Sequence, residues 1–285
     1  MNQDIGIFHN ADVDGLCCGA IMRYKWPDIQ LYGVDYYDKI DINQFKDKNV
    51  IIADFAFEPY EYMIELSKCA KSITWVDHHT TNINNYKSNP INGNVILDSD
   101  HSACYLLWKI LFNSAIPVAV SYISLYDTWK HNDNNTILAF QSGLTSYDID
   151  PINKSFHYIW IKLLHSDNIL LDKITQEGIN ILRYKDVQSE SLVKKFAYNT
   201  KFEGFTALAM NTLSNSKVFK SHPDYLKVDM YITFYYCKSK WKISMYSGKV
   251  DVSEIAKKYN GGGHKGAAGF MCDSIPNHIL ESMNG

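Results

Sequence analysis

The run Ile73-Thr74-Trp75-Val76 ends, with no turn residue between, in Asp77-His78-His79. An apolar, β-branched stretch of this kind is a buried strand, and an acid with two imidazoles at its carboxyl end lies where open α/β sheets hold their sites. Two earlier runs end in the same manner. Ile5-Gly6-Ile7-Phe8 leads into His9-Asn10-Ala11-Asp12-Val13-Asp14-Gly15, and Asn49-Val50-Ile51-Ile52-Ala53 leads into Asp54. Four acids (Asp12, Asp14, Asp54, Asp77) and three histidines (His9, His78, His79) at three neighbouring strand ends would form an uncompensated acidic cluster unless cations sat among them. The economical reading is a pair of divalent metals.

The remaining pattern surrounds those strands with helices. Leu16, Ala20, Ile21 and Tyr24 recur at helical spacing until Pro27. Residues 29–34 read as a strand, and Pro59 fits the first turn of a helix whose apolar face is Tyr62, Met63 and Leu66. Strand, helix, strand, helix, strand implies a parallel sheet with right-handed crossovers. The Asn-rich segment 80–93 is expected to be a surface loop. Ser99-Asp100-His101-Ser102 is expected to cap a helix carrying Ala103, Leu106, Leu107, Ile110 and Leu111. A helical run from Val118 to Leu125 leads into Asp127, and further helical patterns cover 137–144 and 159–164. Residues 168–196 read as one long helix or two, the natural connector between domains. From Phe202 the texture becomes strand-like at 205–209, 230–236 and 241–246, with Lys238-Ser239-Lys240 as a hairpin turn. Asp251 or Ser253 would then cap a helix over 254–259, which the glycine run ends.

Several of these stretches resemble the motifs of one family. Asp77-His78-His79 is the signature of the DHH phosphoesterase superfamily. His9-Asn10-Ala11-Asp12-Val13-Asp14-Gly15 is similar to its first motif, Asp54 after a hydrophobic strand to its second, and Tyr126-Asp127-Thr128-Trp129 to its fourth. Gly261-Gly262-Gly263-His264-Lys265-Gly266-Ala267-Ala268-Gly269 resembles the glycine-rich motif of the DHH-associated C-terminal domain. Any one of these acids alone would pass for a cap or turn residue; the ordered set across the chain reverses that reading. The resemblance implies an α/β fold, a parallel-sheet N-terminal catalytic domain over 1–166, a helical linker over 167–200 and a smaller α/β substrate-binding domain over 201–285.

It also implies roles. His9, Asp12 and Asp54 would hold one ion and Asp14, Asp54, His78 and Asp127 the other, with Asp54 shared. Asp77 would orient a histidine, and His79 would contact the phosphate or the leaving oxygen. His101 lies near where the family binds a phosphate. Gly262 and Gly263 would let backbone amides approach an anion, with His264 and Lys265 adding charged hydrogen bonds. Mixed imidazole and carboxylate ligands suit Mn²⁺, with Mg²⁺ next, better than Ca²⁺. Two such ions about 3.5 to 4 Å apart are the usual device for attack of water on phosphorus.

Composition narrows the substrate. Lys and Arg number 28 against 31 Asp and Glu, a formal charge of -3, which argues against a surface that tracks a long phosphate backbone. The resemblance, with long strands disfavoured by that charge, implies hydrolysis of a phosphodiester or terminal phosphate in a short oligonucleotide or small nucleotide, as in the nano-RNase and nucleoside-bisphosphate phosphatase branch. The alternatives are a cyclic dinucleotide phosphodiesterase, a RecJ-like exonuclease on long single strands, and a nucleotide-binding protein without turnover. Six cysteines with no C-x-x-C spacing read as buried free thiols. No apolar stretch reaches membrane-spanning length, so no membrane partner is expected, the location expected is cytoplasmic, and a homodimer stays open.

Overall fold

The computed structural model describes residues 4–36, 38–132, 134–153, 156 and 158–280, with the side chain of His264 left out of that description. The chain divides into two compact units, Met1–Leu182 and Arg183–Gly285.

The first unit is built on five parallel strands, β1 (Ile5–His9), β2 (Gln30–Val34), β3 (Asn49–Ala53), β4 (Ser72–Asp77) and β5 (Asn94–Leu97), in the order β2-β1-β3-β4-β5. Each inner strand is apolar on both faces, as a sheet covered by helices on both sides requires. Successive side chains alternate between two cores. Ile7, Val50, Ile52 and Trp75 enter one; Phe8, Ile51, Ala53 and Val76 enter the other. Helix α1 (Val13–Lys25) shares the second core with α4 (Ala103–Leu111), α5 (Val118–Asp127), α6 (Asn135–Leu144) and α7 (Trp160–Leu164), while α2 (Glu61–Cys69) contributes Met63 and Leu66 to the first. The chain leaves β1 for β2 on one side and then crosses to β3 on the other, so the order reverses beside β1. At such a reversal the loops after neighbouring strands diverge and leave a crevice at their carboxyl ends. His9, Asp54 and Asp77 lie at the carboxyl ends of β1, β3 and β4.

The second unit has six strands in the order β10-β11-β9-β8-β7-β6, formed by β6 (Tyr198–Phe202), β7 (Phe205–Asn211), β8 (Met230–Cys237), β9 (Lys240–Tyr246), β10 (Gly262–His264) and β11 (Ala267–Cys272). Among the described residues of this unit only the β7/β8 pair is parallel. Helices α9 (Val252–Lys258) and α10 (Asn277–Leu280) add Val252, Ile255, Ala256 and Ile279 to its core. The α/β class expected from sequence holds for both units. Lys238-Ser239 forms the two-residue loop of the β8/β9 hairpin, with Cys237 opposite Lys240 and Lys238 in the left-handed region. Asp251 caps α9 by accepting from Ser253 N–H at 3.1 Å.

Three sequence expectations need correction, and one open alternative is resolved. Residues 80–88 are not loop but helix α3 (Thr80–Ser88), anchored by the buried Asn82 and by Tyr86, whose ring meets Trp75 edge-on at 6.1 Å. Helix α2 begins at Glu61, two residues beyond Pro59. The 168–196 segment, read as one long helix or two, is the single helix α8 (Asn168–Phe196), and the boundary between the two units falls inside it as expected of a connector. The cysteines are all free, but only Cys17, Cys18 and Cys104 are buried; Cys69, Cys237 and Cys272 are partly exposed. No helix among the described residues is long and apolar enough to cross a membrane.

Candidate metal centre

Asp12 ends the loop after β1 in an extended backbone and caps α1, accepting from Gly15 N–H at 2.9 Å. Its other oxygen is 3.0 Å from His9 Nδ1. Two residues on, the buried Asp14 points away from its own helix and accepts from Ala103 N–H (2.8 Å) and Cys104 N–H (3.1 Å). This corrects a further expectation. Ser102 occupies the N-cap position of α4 but makes no side-chain cap bond there; the capping oxygens come from Asp14, 89 residues earlier. A carboxylate at that end also complements the helix dipole.

Asp54 follows β3 in a left-handed conformation (φ 59°), one of the few that short acidic residues tolerate. It is 1% exposed, and neither carboxylate oxygen receives a hydrogen bond from the described residues; nor does Asp127 Oδ2 at the end of α5. His78 Nε2 lies 3.3 Å from Asp54 Oδ1, 3.2 Å from Asp127 Oδ2 and 3.8 Å from Asp14 Oδ2. These separations attract, but the ring is out of line for a hydrogen bond. Asp77 is turned the other way. Its Oδ1 accepts from the backbone of His78 (2.6 Å) and of His79 (2.9 Å) and lies 2.8 Å from His79 Nδ1, while Oδ2 accepts from Asn82 Nδ2 at 2.7 Å.

The ligand atoms thus gather in three overlapping groups, His9/Asp12/Asp54, Asp14/His78/Asp127 and Asp54/His78/His79. The structure brings together every residue the sequence proposed as a ligand, with Asp54 in two groups. His101 is not among them. It sits 3.5 Å from Asp98 and stacks on Tyr105 at 4.4 Å.

The electrostatics follow from burial of like charges. Desolvation, then the neighbouring Asp14, pushes the Asp54 carboxyl up to about 7 and that of Asp127 up to about 8. Burial works against charging the imidazoles, yet the carboxylates outweigh it and raise His9 to about 10 and His78 to about 9. His79 is raised as well, burial being overcome by Asp77; Asp77 is lowered, its burial offset by His79 and Asn82. Buried carboxylate oxygens without donors are costly unless a cation meets them. The donor set of imidazole and carboxylate fits divalent first-row ions, and the orphaned oxygens of Asp54 and Asp127 are where such ions would be held.

Three side chains touching this cluster escaped the sequence reading. Asp35, just after β2, lies 3.5 Å from His9 Nε2, and Tyr36 packs its ring 5.3 Å from that imidazole. An acid after a short apolar run was the available signal for Asp35. Asn82 had none, being one of several asparagines in a polar segment.

In the second unit the glycine-rich motif is a β-hairpin, with Gly262–His264 paired to Ala267–Gly269 and Lys265-Gly266 at its tip. Gly263 has φ +136° and a Cβ there would meet the Ala267 carbonyl at 2.6 Å, so its glycine serves the hairpin itself. Gly262 is different, since a Cβ there would meet nothing within 4 Å. Lys265 is exposed, and the His264 side chain lies outside the described structure.

No protein-family model matches the chain. An uncharacterized protein of Acanthamoeba polyphaga mimivirus is 24% identical over 265 residues, covering 88% of this chain, which spans 58% of that relative's length. Among solved structures, the DHH domain of a member of a ribosomal-protein family matches with a TM-score of 0.60 at 13% identity, over 98% of this chain and 85% of that one. A pGpG-specific phosphodiesterase from Vibrio cholerae matches at 0.51 and 14%, over 94% and 92%. An exopolyphosphatase-related protein from Bacteroides fragilis also matches at 0.51 and 14%, over 98% and 90%. The fold is that of DHH proteins, in agreement with the superfamily its motifs resemble.

Proposed function

We propose that this chain is a metal-dependent phosphoesterase acting on phosphodiester or terminal phosphate bonds of short oligonucleotides or small nucleotides. The observation that carries the reading is Asp54, a fully buried carboxylate without a hydrogen-bond donor, shared by two groups of ligand atoms. His9, Asp12 and Asp54 would hold one divalent ion and Asp14, Asp54, His78 and Asp127 a second, with Mn²⁺ favoured over Mg²⁺ by the imidazoles. Bound there, the ions would supply positive charge to the phosphoryl oxygens and a nucleophile from water at neutral pH.

The chain's own groups do the rest. Asp77 fixes the His79 ring through Nδ1, 2.8 Å away, and favours its charged form against burial; in that form Nε2–H would be the proton offered to a leaving oxygen. Asn82 keeps Asp77 from turning by occupying its second oxygen. In the second unit, Gly262, Gly263, His264 and Lys265 are assigned the substrate's remaining anionic group, and the open space above Gly262 supports that role. His101 stays a secondary phosphate contact in this scheme.

Short substrates are favoured by the charge balance of -3. The likeness of fold to a pGpG-specific phosphodiesterase points the same way. The test is turnover of a linear dinucleotide, a pentamer, a 20-mer and cyclic dinucleotides at equal strand concentration, with Mn²⁺, with Mg²⁺ and after chelation. The dinucleotide should be cut fastest and chelation should abolish the reaction. Faster attack on the 20-mer with steep salt dependence would make the protein an exonuclease of long strands; selective attack on the cyclic compounds would make it a hydrolase of those. Binding without turnover in any metal would leave a nucleotide-binding protein.

A further inference from the structure

Helix α5 ends in a Schellman motif. Beyond its last residue, Asp127, Thr128 is the C-cap; Trp129 N–H donates to the Tyr126 carbonyl (3.2 Å) and Lys130 N–H to the Leu125 carbonyl (2.9 Å). The residue after the C-cap, Trp129, has φ 58°. That left-handed position ordinarily holds glycine or asparagine, because a Cβ is crowded there. Here it carries the largest side chain of the twenty, and the residue is 77% exposed. Backbone preference and burial both argue against tryptophan at this point. Conflicts of that kind gather at functional positions, where a side chain is kept for what it meets and not for what it stabilises.

The indole also has an aromatic neighbour. Its ring lies 6.1 Å from that of His131, and the buried His131 stacks on Tyr126 at 5.7 Å with an interplanar angle of 23°. Lys130 ties the turn to the loop before α4, donating from Nζ to the Asp100 carbonyl at 2.6 Å. Asp127, with its orphaned carboxylate oxygen, is two residues away, so the two Cα atoms are no more than about 7 Å apart. An exposed aromatic residue therefore follows a candidate metal ligand at a separation of one helix-capping turn.

We propose that Trp129 is a stacking platform for a nucleobase of the substrate. This rests on the reading of the protein as a nucleotide phosphoesterase and deepens it, because it makes recognition depend on the base as well as the phosphate. Base-on-indole stacking is tolerant of base identity, since every base has a π-face. It gives nothing to a phosphate chain that lacks a base.

The experiment uses Trp129→Gly and Trp129→Phe, with pApA as the base-bearing probe and inorganic tripolyphosphate as the base-free one. Affinity is read by calorimetry and by indole fluorescence, KM and kcat by turnover, and Tm by calorimetric scan. Glycine suits the left-handed C′ position, so the Gly variant should hold or raise its Tm while binding pApA roughly 5- to 100-fold more weakly. Phe should recover most of the loss, and tripolyphosphate binding should be unchanged throughout. Equal shifts for both probes, no shift for either, or a wild-type protein that does not bind pApA would overturn the proposal. Trp129-dependent binding of pApA with no ester hydrolysed in any metal would sink the phosphoesterase reading and keep the platform; hydrolysis with unchanged base dependence in the Gly variant would do the reverse.

Discussion

Asp54 concentrates the electrostatic conflict of the first unit into one side chain. It is buried beside Asp14, receives no hydrogen bond, and adopts a left-handed backbone that fixes where its carboxylate points. Removing its charge relieves repulsion as well as removing a shared ligand. Asp54→Asn should therefore lower turnover in Mn²⁺ by a factor on the order of 10³, while the metal-free protein keeps or gains thermal stability. Near-normal turnover at saturating Mn²⁺ would remove Asp54 from the centre of the site. Asn82 makes the opposite case. Its amide is the donor to Asp77 Oδ2, and both residues are buried. Asn82→Leu leaves that oxygen without a partner and should cost about 1–3 kcal/mol in urea unfolding; an unchanged midpoint would mean that water reaches Asp77.

At the scale of elements, close backbone approach decides what the helices tolerate. Helices α6 and α8 meet through two glycines: a Cβ on Gly178 would fall 1.7 Å from the Ala139 carbonyl, and one on Gly143 would fall 2.0 Å from that of Ile174. Alanine is the better helix former by about 1 kcal/mol, yet Gly178→Ala should destabilise the first unit by about 1–3 kcal/mol because the helices must separate. A melting temperature that rises would show the pair to be looser than these contacts imply. Elements whose periodicity arises from their own core face were legible in the sequence, as β1, β3, β4, α1 and α4 show. Asp12, Asp14, Asp54 and His78 were legible as candidates with them because each follows such a run closely, whereas Asp127 was named only through the family motif its stretch resembles. Helix α3 was not, because its asparagines signal a loop and only Asn82 on Asp77 and Tyr86 against Trp75 hold it helical. Strand β10 was not, because a glycine run carries no strand preference and its pairing with β11 is what extends it. The capping of α4 by Asp14 joins positions 89 residues apart, a relation no local pattern contains.

Across the whole chain, the groups of metal-ligand atoms found among the described residues all lie in the first unit, so the metal-linked pH dependence of stability belongs to that unit. His9 and His78 are raised from an ordinary 6.5 to about 10 and about 9, and Asp54 and Asp127 from 3.8 to about 7 and about 8. All four groups therefore bind protons more tightly in the folded chain than in the unfolded one, and folding takes protons up. The stability they contribute is full below the unfolded values and is lost as the pH climbs through the folded ones, which for this set means from about 4 to 8 for the carboxyls and from 6.5 to about 10 for the imidazoles. Metal-free protein should thus lose melting temperature steadily between pH 6 and pH 8.5. A divalent ion reverses the slope, because it binds the deprotonated ligands and displaces those same protons, so its apparent affinity rises with pH. The increment in melting temperature produced by Mn²⁺ or Mg²⁺ should be smallest at pH 6 and largest at pH 8.5, and calorimetric titration in buffers of different ionisation enthalpy should register proton release on loading. A metal-free melting temperature that climbs with pH, or a metal increment that shrinks, would mean that these carboxylates and imidazoles do not share one buried site.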